Sequence, residues 1–466
     1  MTRQQTDAVF SSIVTCYFLP VTLLFERKEK DRSGGNRTRD CVLIRHTPYH
    51  LATDLYCTFM SRTYTARYVF PVSGPPLANG TVTVRDDRIE AVLTHGERIA
   101  DVDFGNAAII PGLVNPHTHL DLSGARGLIP PTDPNHFTDW LRGVIAYRRT
   151  RTAEQVQANI RDGLAECLRH GTTLIGDITS GGVSYPAIAR AFVRAVLFWE
   201  VIGLSEDKYN ATLSEIGATI GGSWDPDAPP GIYPATPSCR WATSPHAPYS
   251  ANHDCARGQL YLGNAAIHFA ESPAEIELLA SKTGPFVDFL KQLGVWNASA
   301  FTAGLRDFFV AYPKAAPPIL YVHCNYLPTD APLAPAHTIV YCPRTHAAFG
   351  HPPHPFREFL ARGVRVCLGT DSLASNPDLD ILSEARFVRL RYPDFPVDQL
   401  LRMVTLSGAE SLGWADETGS LEAGKSADFV VVPLPNADAP DPHELLLADH
   451  AGERCTMFRG QWRSAP

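Results

Sequence analysis

The chain has 466 residues, of which 44% are hydrophobic and 19% are charged; this is an ordinary globular composition, at a length sufficient for a barrel domain and a smaller one. The formal net charge is -8 and the basic residues are scattered, which excludes a nucleic-acid-binding footprint. None of the ten cysteines belongs to a Cys-x-x-Cys pair, and several lie in apolar segments. We therefore expect reduced, buried thiols and a cytoplasmic protein.

Residues 1–59 do not follow the pattern of the remaining chain. An apolar stretch over residues 9–25 is interrupted by Pro20 and is followed by the charged residues 26–30. This arrangement differs from a signal peptide and from a membrane span. We expect an extension outside the folded domains, preceding a start at Met60, and no membrane association; a signal anchor is the alternative.

Residues 65–92 alternate apolar and polar side chains around Ala78-Asn79-Gly80, a pattern that predicts a β-hairpin. Beyond them, apolar strand-like segments alternate with helix-like stretches such as residues 153–170 and 379–392, which indicates parallel βαβ units. Eight strands are predicted, at about residues 108–115, 172–179, 195–203, 240–246, 265–270, 319–324, 338–342 and 364–370. This number predicts an α/β fold of the (β/α)8 TIM-barrel type, with its active site at the carboxyl ends of the strands.

The first predicted barrel strand ends in His117-Thr118-His119. Side chains at positions i and i+2 of a strand leave the same face, so two imidazoles point toward one place. A divalent metal is the usual reason for such a pair, and two packed histidines without a ligand are the alternative.

Three other predicted strands also end in ionisable groups. His268 and Glu271 lie at the end of the fifth strand, His323 lies at the end of the sixth, and Asp371 directly follows the eighth. Such groups are seldom buried without a partner, and the carboxyl ends of barrel strands share one face. We therefore expect these residues to meet the histidine pair in one site; separate solvated loop positions are the alternative.

As an ordered set, these motifs resemble the amidohydrolase superfamily, closest to the branch that contains guanine, S-adenosylhomocysteine and aminodeoxyfutalosine deaminases and the triazine chlorohydrolases. The resemblance runs from about Tyr64 to the C-terminus. It rests on His117-x-His119, residues 244–250, His268-x-x-Glu271, His323 and Gly369-Thr370-Asp371-Ser372. It implies that four residues hold one divalent metal: His117, His119, His268 and Asp371. Three imidazoles and a carboxylate suit Zn²⁺, which we expect, with Fe²⁺ as the alternative.

The resemblance also implies catalytic roles that agree with the residue types. Asp371 would accept a proton from the attacking water, and Glu271 would carry a proton to a ring nitrogen of the substrate. His323 would stabilise the developing charge or relay a proton to the leaving group.

The lysines separate two kinds of superfamily member. Two-metal members bridge their metals with a carboxylated lysine at the end of the fourth strand. The seven lysines of this chain all lie away from predicted strand ends, and the fourth strand ends at His246. This pattern favours a mononuclear aminohydrolase.

Four residues are candidate substrate contacts. His246 lies at a predicted strand end, where the alternative is a turn cap. Trp140 and Arg148 follow the first strand, where the family inserts a helix over the pocket; Arg148 could hold a carboxylate or ribose, or lie on a solvated helix face. His346 occupies a position where relatives commonly have asparagine.

The family pattern implies a small β-sandwich domain built from both chain ends. We expect residues 60–111 and 412–466 in the sandwich and residues 112–411 in the barrel. Gly424-Lys425-Ser426 is then a β-turn, because it lacks the upstream glycine and the following helix of a phosphate loop.

The implied function is that of a metal-dependent hydrolytic deaminase of an aminated purine nucleoside or related heterocycle, such as aminodeoxyfutalosine, adenosylhomocysteine or methylthioadenosine. One alternative is a chlorohydrolase or N-dealkylating hydrolase of triazine-like rings. Another is a catalytically inactive relative that acts as an interaction protein. The expected partner is a small-molecule substrate, with neither nucleic acid nor membrane, and the family resemblance allows a homo-oligomer.

Overall fold

The computed structural model describes residues 61–220, 236–262, 264–309, 318–448 and 452–463, together with two short strands near the N-terminus. It divides the chain into two units, Met1–Cys57 and Thr58–Pro466. The first unit contains one antiparallel pair, formed by β1 (Ile13–Val14) and β2 (Leu23–Leu24). The remainder of residues 1–59 lies outside the described residues, so its assignment as an extension stays a prediction.

Seven short strands open the second unit. They are β3 (Arg62–Thr65), β4 (Tyr68–Val69), β5 (Leu77–Ala78), β6 (Thr81–Arg85), β7 (Arg88–Leu93), β8 (Val102–Asp103) and β9 (Ala107–Pro111). The predicted hairpin at Asn79 is wrong in its pairing, because β5 pairs with β4 whereas β6 pairs with β3 and β7 in another sheet. The chain turns at Asn79, with φ of 49°, and crosses from one sheet to the other. The two-residue hairpin lies further on, at Asp86-Asp87 between β6 and β7.

Eight strands then pair in chain order in one parallel sheet. They are β10 (Leu113–Thr118), β11 (Thr172–Thr179), β12 (Arg194–Val201), β13 (Cys239–Pro245), β14 (Ala265–Phe269), β15 (Ile319–His323), β16 (Thr338–Tyr341) and β17 (Arg365–Leu368). A parallel bridge between Thr118 and Asp371 links the first strand to the segment after the last. The predicted (β/α)8 barrel is therefore confirmed.

One predicted barrel strand, residues 108–115, is in fact two strands that belong to different sheets. The break falls at Gly112, where a Cβ would lie 2.1 Å from the Thr173 hydroxyl oxygen. Only glycine allows this close approach, so the chain can leave the sandwich and enter the barrel within one residue.

Helices cover the outside of the barrel. They are α1 (Phe137–Thr150), α2 (Ala153–Arg169), α3 (Tyr185–Ile188), α4 (Glu206–Ile220), α5 (His253–Leu262), α6 (Pro273–Ser281), α7 (Pro285–Gln292), α8 (Pro343–Ala348), α9 (Phe356–Ala361), α10 (Ile381–Arg391), α11 (Val397–Met403), α12 (Leu406–Ser411) and α13 (Pro442–Leu447). Short 3-10 segments span Leu120–Ala125, Pro134–His136, Ser180–Gly182, Ala298–Ala300 and Leu305–Phe308. The predicted helix at 153–170 starts where expected because Thr152 and Gln155 form a capping box.

The strands β18 (Phe429–Pro433), β19 (Cys455–Phe458) and β20 (Gln461–Trp462) return to the N-terminal sheets. The six-stranded sheet has the order β20-β19-β18-β9-β4-β5, and the four-stranded sheet has the order β7-β6-β3-β8. A shared apolar core lies between them and includes Tyr64, Val82, Ile109 and Phe429. Both ends of the second unit therefore build the small sandwich, as predicted, while the exact domain boundaries remain a prediction.

Three smaller expectations can be compared with the structure. A turn is present, but it spans residues 422–425, closed by a hydrogen bond from Lys425 N to Glu422 O; the predicted β-turn therefore begins two residues earlier, and Ser426 already pairs with Arg88. The described cysteines are free, and most are buried. Within the described ranges, no helix combines the length and apolar character needed to cross a membrane.

Candidate active site

Three buried histidines converge at the carboxyl end of the barrel. Ring nitrogens of His117, His119 and His268 all lie within 4.8 Å of one another. His119 Nε2 is 3.1 Å from His268 Nε2. Asp371 completes the cluster, with Oδ1 3.5 Å from His117 Nε2 and 3.7 Å from His119 Nε2.

The strand ends bring these side chains together. His117 lies in β10, His119 directly follows it, and His268 lies in β14. Asp371 follows β17 in a left-handed conformation, with φ of 62°, and its N–H donates to His117 O at 3.0 Å. The backbone at the barrel closure therefore fixes the carboxylate beside the histidine pair.

Backbone and side-chain hydrogen bonds orient the cluster from outside. His268 Nδ1 lies 2.9 Å from His246 O. Because a carbonyl only accepts, Nδ1 carries the proton and the Nε2 lone pair faces the cluster. The Asp177 carboxylate accepts from Thr118 Oγ1 at 3.0 Å and from Leu120 N at 2.9 Å, on either side of His119. Burial raises the pKa of Asp177 to about 7.

The donor set fits a divalent metal. Both ring nitrogens of His117 and Nδ1 of His119 are buried and have no hydrogen-bond partner among the described residues. Burial, followed by the neighbouring imidazoles, holds the pKa of His119 and of His268 well below the usual value. Neutral imidazoles beside one carboxylate are the ligand form that Zn²⁺ or Fe²⁺ requires.

Glu271 and His323 form a second buried pair beside the cluster. Glu271 Oε1 lies 3.4 Å from His323 Nε2. Burial, and then the charges of Asp371 and Glu275, raise the pKa of Glu271 well above its usual value. Burial lowers the pKa of His323 well below the usual value. Both shifts favour the uncharged form of the pair, a protonated carboxyl beside a neutral imidazole.

Two residues not found by sequence reasoning hold this pair in place. The Glu275 carboxylate accepts from Ala270 N and from Glu271 N, each at 2.9 Å. It thereby fixes the turn at Ala270, where φ is 50°. A signal was present, because Ser272-x-x-Glu275 is a capping-box sequence. His354 Nε2 donates to His323 O at 2.7 Å, at a strand end where φ of His323 is 69°.

His246 lies in this site as well. It directly follows β13, and its ring centroid is 4.9 Å from that of His268. Its Nδ1 is 2.6 Å from Ser250 Oγ and its Nε2 is 3.7 Å from Glu200 Oε1. Burial lowers the pKa of His246 below the usual value.

Arg148 does not lie on a solvated helix face. Its Nε is 3.4 Å from Asp121 Oδ2, and its Nη1 is 3.3 Å from Glu200 Oε2. Asp121 also pairs with Arg151 at 3.1 Å. Glu200, in β12, was missed by sequence reasoning, although a lone acid near the end of an apolar strand was a usable signal. Two arginines and two carboxylates thus form a buried network beside His246.

The remaining two candidates lie among aromatic rings. Trp140 stacks on Phe137 with centroids 5.6 Å apart and meets Phe349 edge-on at 5.1 Å. His346 lies 5.5 Å from the ring of Tyr341 and 5.2 Å from that of His351. Within the described chain, no ring contact or hydrogen bond links His346 to the histidine cluster.

Three comparisons place these features among known proteins. Residues 108–463 match the model of the Amidohydrolase family. A 5-methylthioadenosine/S-adenosylhomocysteine deaminase of Moorella thermoacetica is 29% identical over 401 residues, which span 81% of this chain and 86% of that protein. The structure is similar to aminofutalosine deaminase of Helicobacter pylori, with a TM-score of 0.71 and 20% identity over 86% of this chain and 100% of that one. It is also similar to an adenosine deaminase of Xanthomonas campestris with bound zinc, with a TM-score of 0.66 and 24% identity over 86% of this chain and 92% of that one.

The family match begins within β9 and continues to the last residue described. It therefore includes all eight barrel strands and every residue of the cluster. The chain belongs to the amidohydrolase family.

Proposed function

We propose that this protein is a metal-dependent hydrolytic deaminase that removes ammonia from an aminated purine nucleoside or a related heterocycle. The observation that carries the proposal is the buried Glu271–His323 pair beside the cluster of three histidines and Asp371. It combines a proton donor with a neutral base next to a site for a hydrolytic metal. The Moorella thermoacetica deaminase supports the same reaction class.

We assign one divalent metal, Zn²⁺ in the first instance, to four ligands: His117, His119, His268 and Asp371. Their geometry supports this assignment, because buried ring nitrogens without hydrogen-bond partners converge on one carboxylate. When bound, the metal supplies a water activated for nucleophilic attack near neutral pH.

Asp371 is suited to receive the proton of that water. Burial alone would raise its pKa, but the adjacent imidazoles of His117 and His323 keep the pKa below its usual value. The carboxylate is therefore ionised near neutral pH and can act as a general base.

Glu271 is suited to the opposite transfer. Its raised pKa keeps the carboxyl protonated, so it can donate to a ring nitrogen while water oxygen bonds to the adjacent ring carbon. The carbon–nitrogen bond to the exocyclic amine then breaks, and the proton held by Asp371 passes to the leaving nitrogen to give ammonia. The remaining hydroxyl proton returns to Glu271 as the ring carbonyl forms, so both carboxyl groups recover their starting states. His323 would stabilise charge during this exchange.

The substrate would lie between the cluster and four further residues: His246, Trp140, Arg148 and His346. His246 has the strongest support because its ring adjoins His268. Arg148 is already paired with Asp121 and Glu200. Its proposed role is therefore to fix the position of these pocket residues, and not to neutralise a charge of the substrate. His346 contacts Tyr341 and His351, and within the described chain no ring contact or hydrogen bond joins it to the cluster.

The test is ammonia release by the full-length, zinc-loaded protein on adenosine, methylthioadenosine, adenosylhomocysteine and aminodeoxyfutalosine. We expect turnover of at least one of them. Chloride release from a halogenated triazine without any deamination would favour the chlorohydrolase alternative. Absence of stoichiometric metal in protein expressed with both zinc and iron would favour the inactive relative.

A further inference from the structure

Glu200 is a buried carboxylate with only one of its two oxygens satisfied. Its side chain is 1% exposed. Oε2 accepts hydrogen bonds from Ser180 Oγ and from Arg148 Nη1. Oε1 has no hydrogen-bond partner among the described residues and faces His246 Nε2 at 3.7 Å. An unsatisfied buried oxygen is costly, and it needs a reason.

The surrounding charges keep Glu200 ionised. Burial alone would raise its pKa, but the Arg148 guanidinium and the Ser180 hydroxyl bring the pKa below its usual value. Arg148 is shared with Asp121, and Asp121 is paired with Arg151. The four charges sum to zero, so a negative oxygen can persist next to His246.

The other nitrogen of His246 meets a hydroxyl that can act in two ways. Ser250 Oγ is 2.6 Å from His246 Nδ1 and 3.2 Å from Ala247 O. With the imidazole proton on Nδ1, Ser250 would accept it and donate to the carbonyl. With the proton on Nε2, Ser250 would donate to Nδ1 instead. Ser250 by itself is therefore compatible with either tautomer.

We propose that Glu200 is a positioning residue that keeps the proton of neutral His246 on Nε2, so that His246 presents an N–H donor to the substrate. A lone pair on Nε2 would face the negative Oε1 across 3.7 Å of buried space, whereas an N–H there is attracted to it. The separation exceeds hydrogen-bonding distance, so this N–H is not consumed within the protein.

The proton on His246 Nε2 restricts which substrate atom can bind there. Because this restriction concerns the deamination substrate, it rests on the proposed function. The atom that meets His246 must be a lone-pair acceptor, such as an aromatic ring nitrogen or a sugar oxygen. A ligand with an N–H at that point would place two donors against each other. Aminated heterocycles carry acceptors of the required kind.

The tautomer can be measured without any substrate. Long-range proton–nitrogen NMR spectra of zinc-loaded protein labelled with ¹⁵N-histidine distinguish the two nitrogens, and His246→Gln identifies the resonances. We expect Nε2–H in the wild type. We expect Nδ1–H in Glu200→Gln, because the carboxamide can donate to Nε2. The matched control Ser250→Ala should retain Nε2–H.

Several outcomes would overturn the proposal: Nδ1–H in the wild type, an unchanged tautomer in Glu200→Gln, or a switch to Nδ1–H in Ser250→Ala. The last outcome would assign the control of the tautomer to Ser250. Even if Glu200→Gln does not fold, Nδ1–H in the wild type or in Ser250→Ala would still overturn the proposal.

Steady-state kinetics test whether the Glu200 carboxylate affects substrate binding. Glu200→Gln should raise KM for methylthioadenosine roughly 10–100-fold, the usual cost of leaving a buried hydrogen-bonding group unmatched, with a smaller change in kcat and unchanged zinc content. A fall in kcat with KM unchanged would contradict the positioning role. If no nucleoside is deaminated, the proposed function fails, whereas the NMR result still decides the role of Glu200.

Discussion

Two buried polar regions adjoin at the carboxyl end of the barrel, and they differ in how their charges are paired. In the histidine cluster, ring nitrogens of His117 and His119 lack hydrogen-bond partners among the described residues. In the network beside it, Arg148, Arg151, Asp121 and Glu200 pair with one another. The first region places one carboxylate beside neutral imidazoles, whereas in the second two arginines balance two carboxylates. We propose that the first region holds the reacting groups and that the second supports the pocket wall beside them.

The largest effect should follow removal of a metal ligand. His117→Ala and Asp371→Ala should each lose both the bound metal and ammonia release, because each removes one of the four proposed ligands. Metal content by inductively coupled plasma mass spectrometry, measured beside activity, tests this prediction. Full metal occupancy in either variant would show that the cluster is not the metal site.

The second largest effect should follow substitution of Glu271, which separates catalysis from metal binding. Glu271→Gln removes the proton that the ring nitrogen needs but leaves the four ligands intact. We expect kcat to fall by at least about 10²-fold, at the lower end of the range for general acid–base groups, with unchanged metal content. Glu277→Gln, at an exposed position of α6, is the matched control. Wild-type turnover of Glu271→Gln would exclude the residue as the proton carrier.

A smaller loss of activity should follow substitution of Glu275, whose carboxylate supports the turn before Glu271. Glu275→Gln retains one accepting oxygen, so either Ala270 N or Glu271 N loses its acceptor and the turn loosens. We expect a fall in kcat of roughly tenfold, corresponding to one unsatisfied buried donor. Glu275→Ala should be more severe. Equal kcat for wild type and Glu275→Gln would show that the turn at Ala270 needs no such support.

The smallest effect concerns a paired carboxylate far from catalysis, which tests whether charge pairing stabilises this fold. Asp380 accepts from Arg454 Nη1 at 2.7 Å and from Nη2 at 2.8 Å, linking α10 to the segment before β19. Burial alone would raise its pKa, but Arg454 lowers the pKa from 3.8 to about 2. The lowered pKa means that the pair stabilises the fold fully above about pH 4, and that this contribution disappears as the pH falls through about 2.

By linkage the contribution is about 2 kcal/mol near neutral pH. Urea unfolding of wild type and Asp380→Asn between pH 7 and pH 2 measures it. The difference in unfolding free energy should be largest at pH 7 and should shrink below pH 4. A difference that grows toward low pH would have the wrong sign.

Much of this site was predictable from sequence because each barrel strand delivers its last residues to the same face. His117, His119, His268, Glu271, His323 and Asp371 could therefore be grouped from their positions at strand ends alone. Apolar periodicity predicted the barrel strands because it reports local structure, whereas the sandwich was implied by the resemblance to the amidohydrolase superfamily. It failed at Asn79, where a local turn signal does not reveal which sheet each flanking strand joins.

The sequence by itself determined the strand ends, the residue types available there and hence the chemistry expected at the carboxyl face of the barrel. Only the tertiary structure decided that Gly112 divides one apolar run between two sheets, and that Glu275 fixes the turn before Glu271. It alone paired Arg148 with Asp121 and Glu200, which come from three separate segments of the chain. The physical reason is that charge pairing and close approach depend on distances between remote residues, whereas sequence periodicity records only which face of its own strand or helix a side chain occupies.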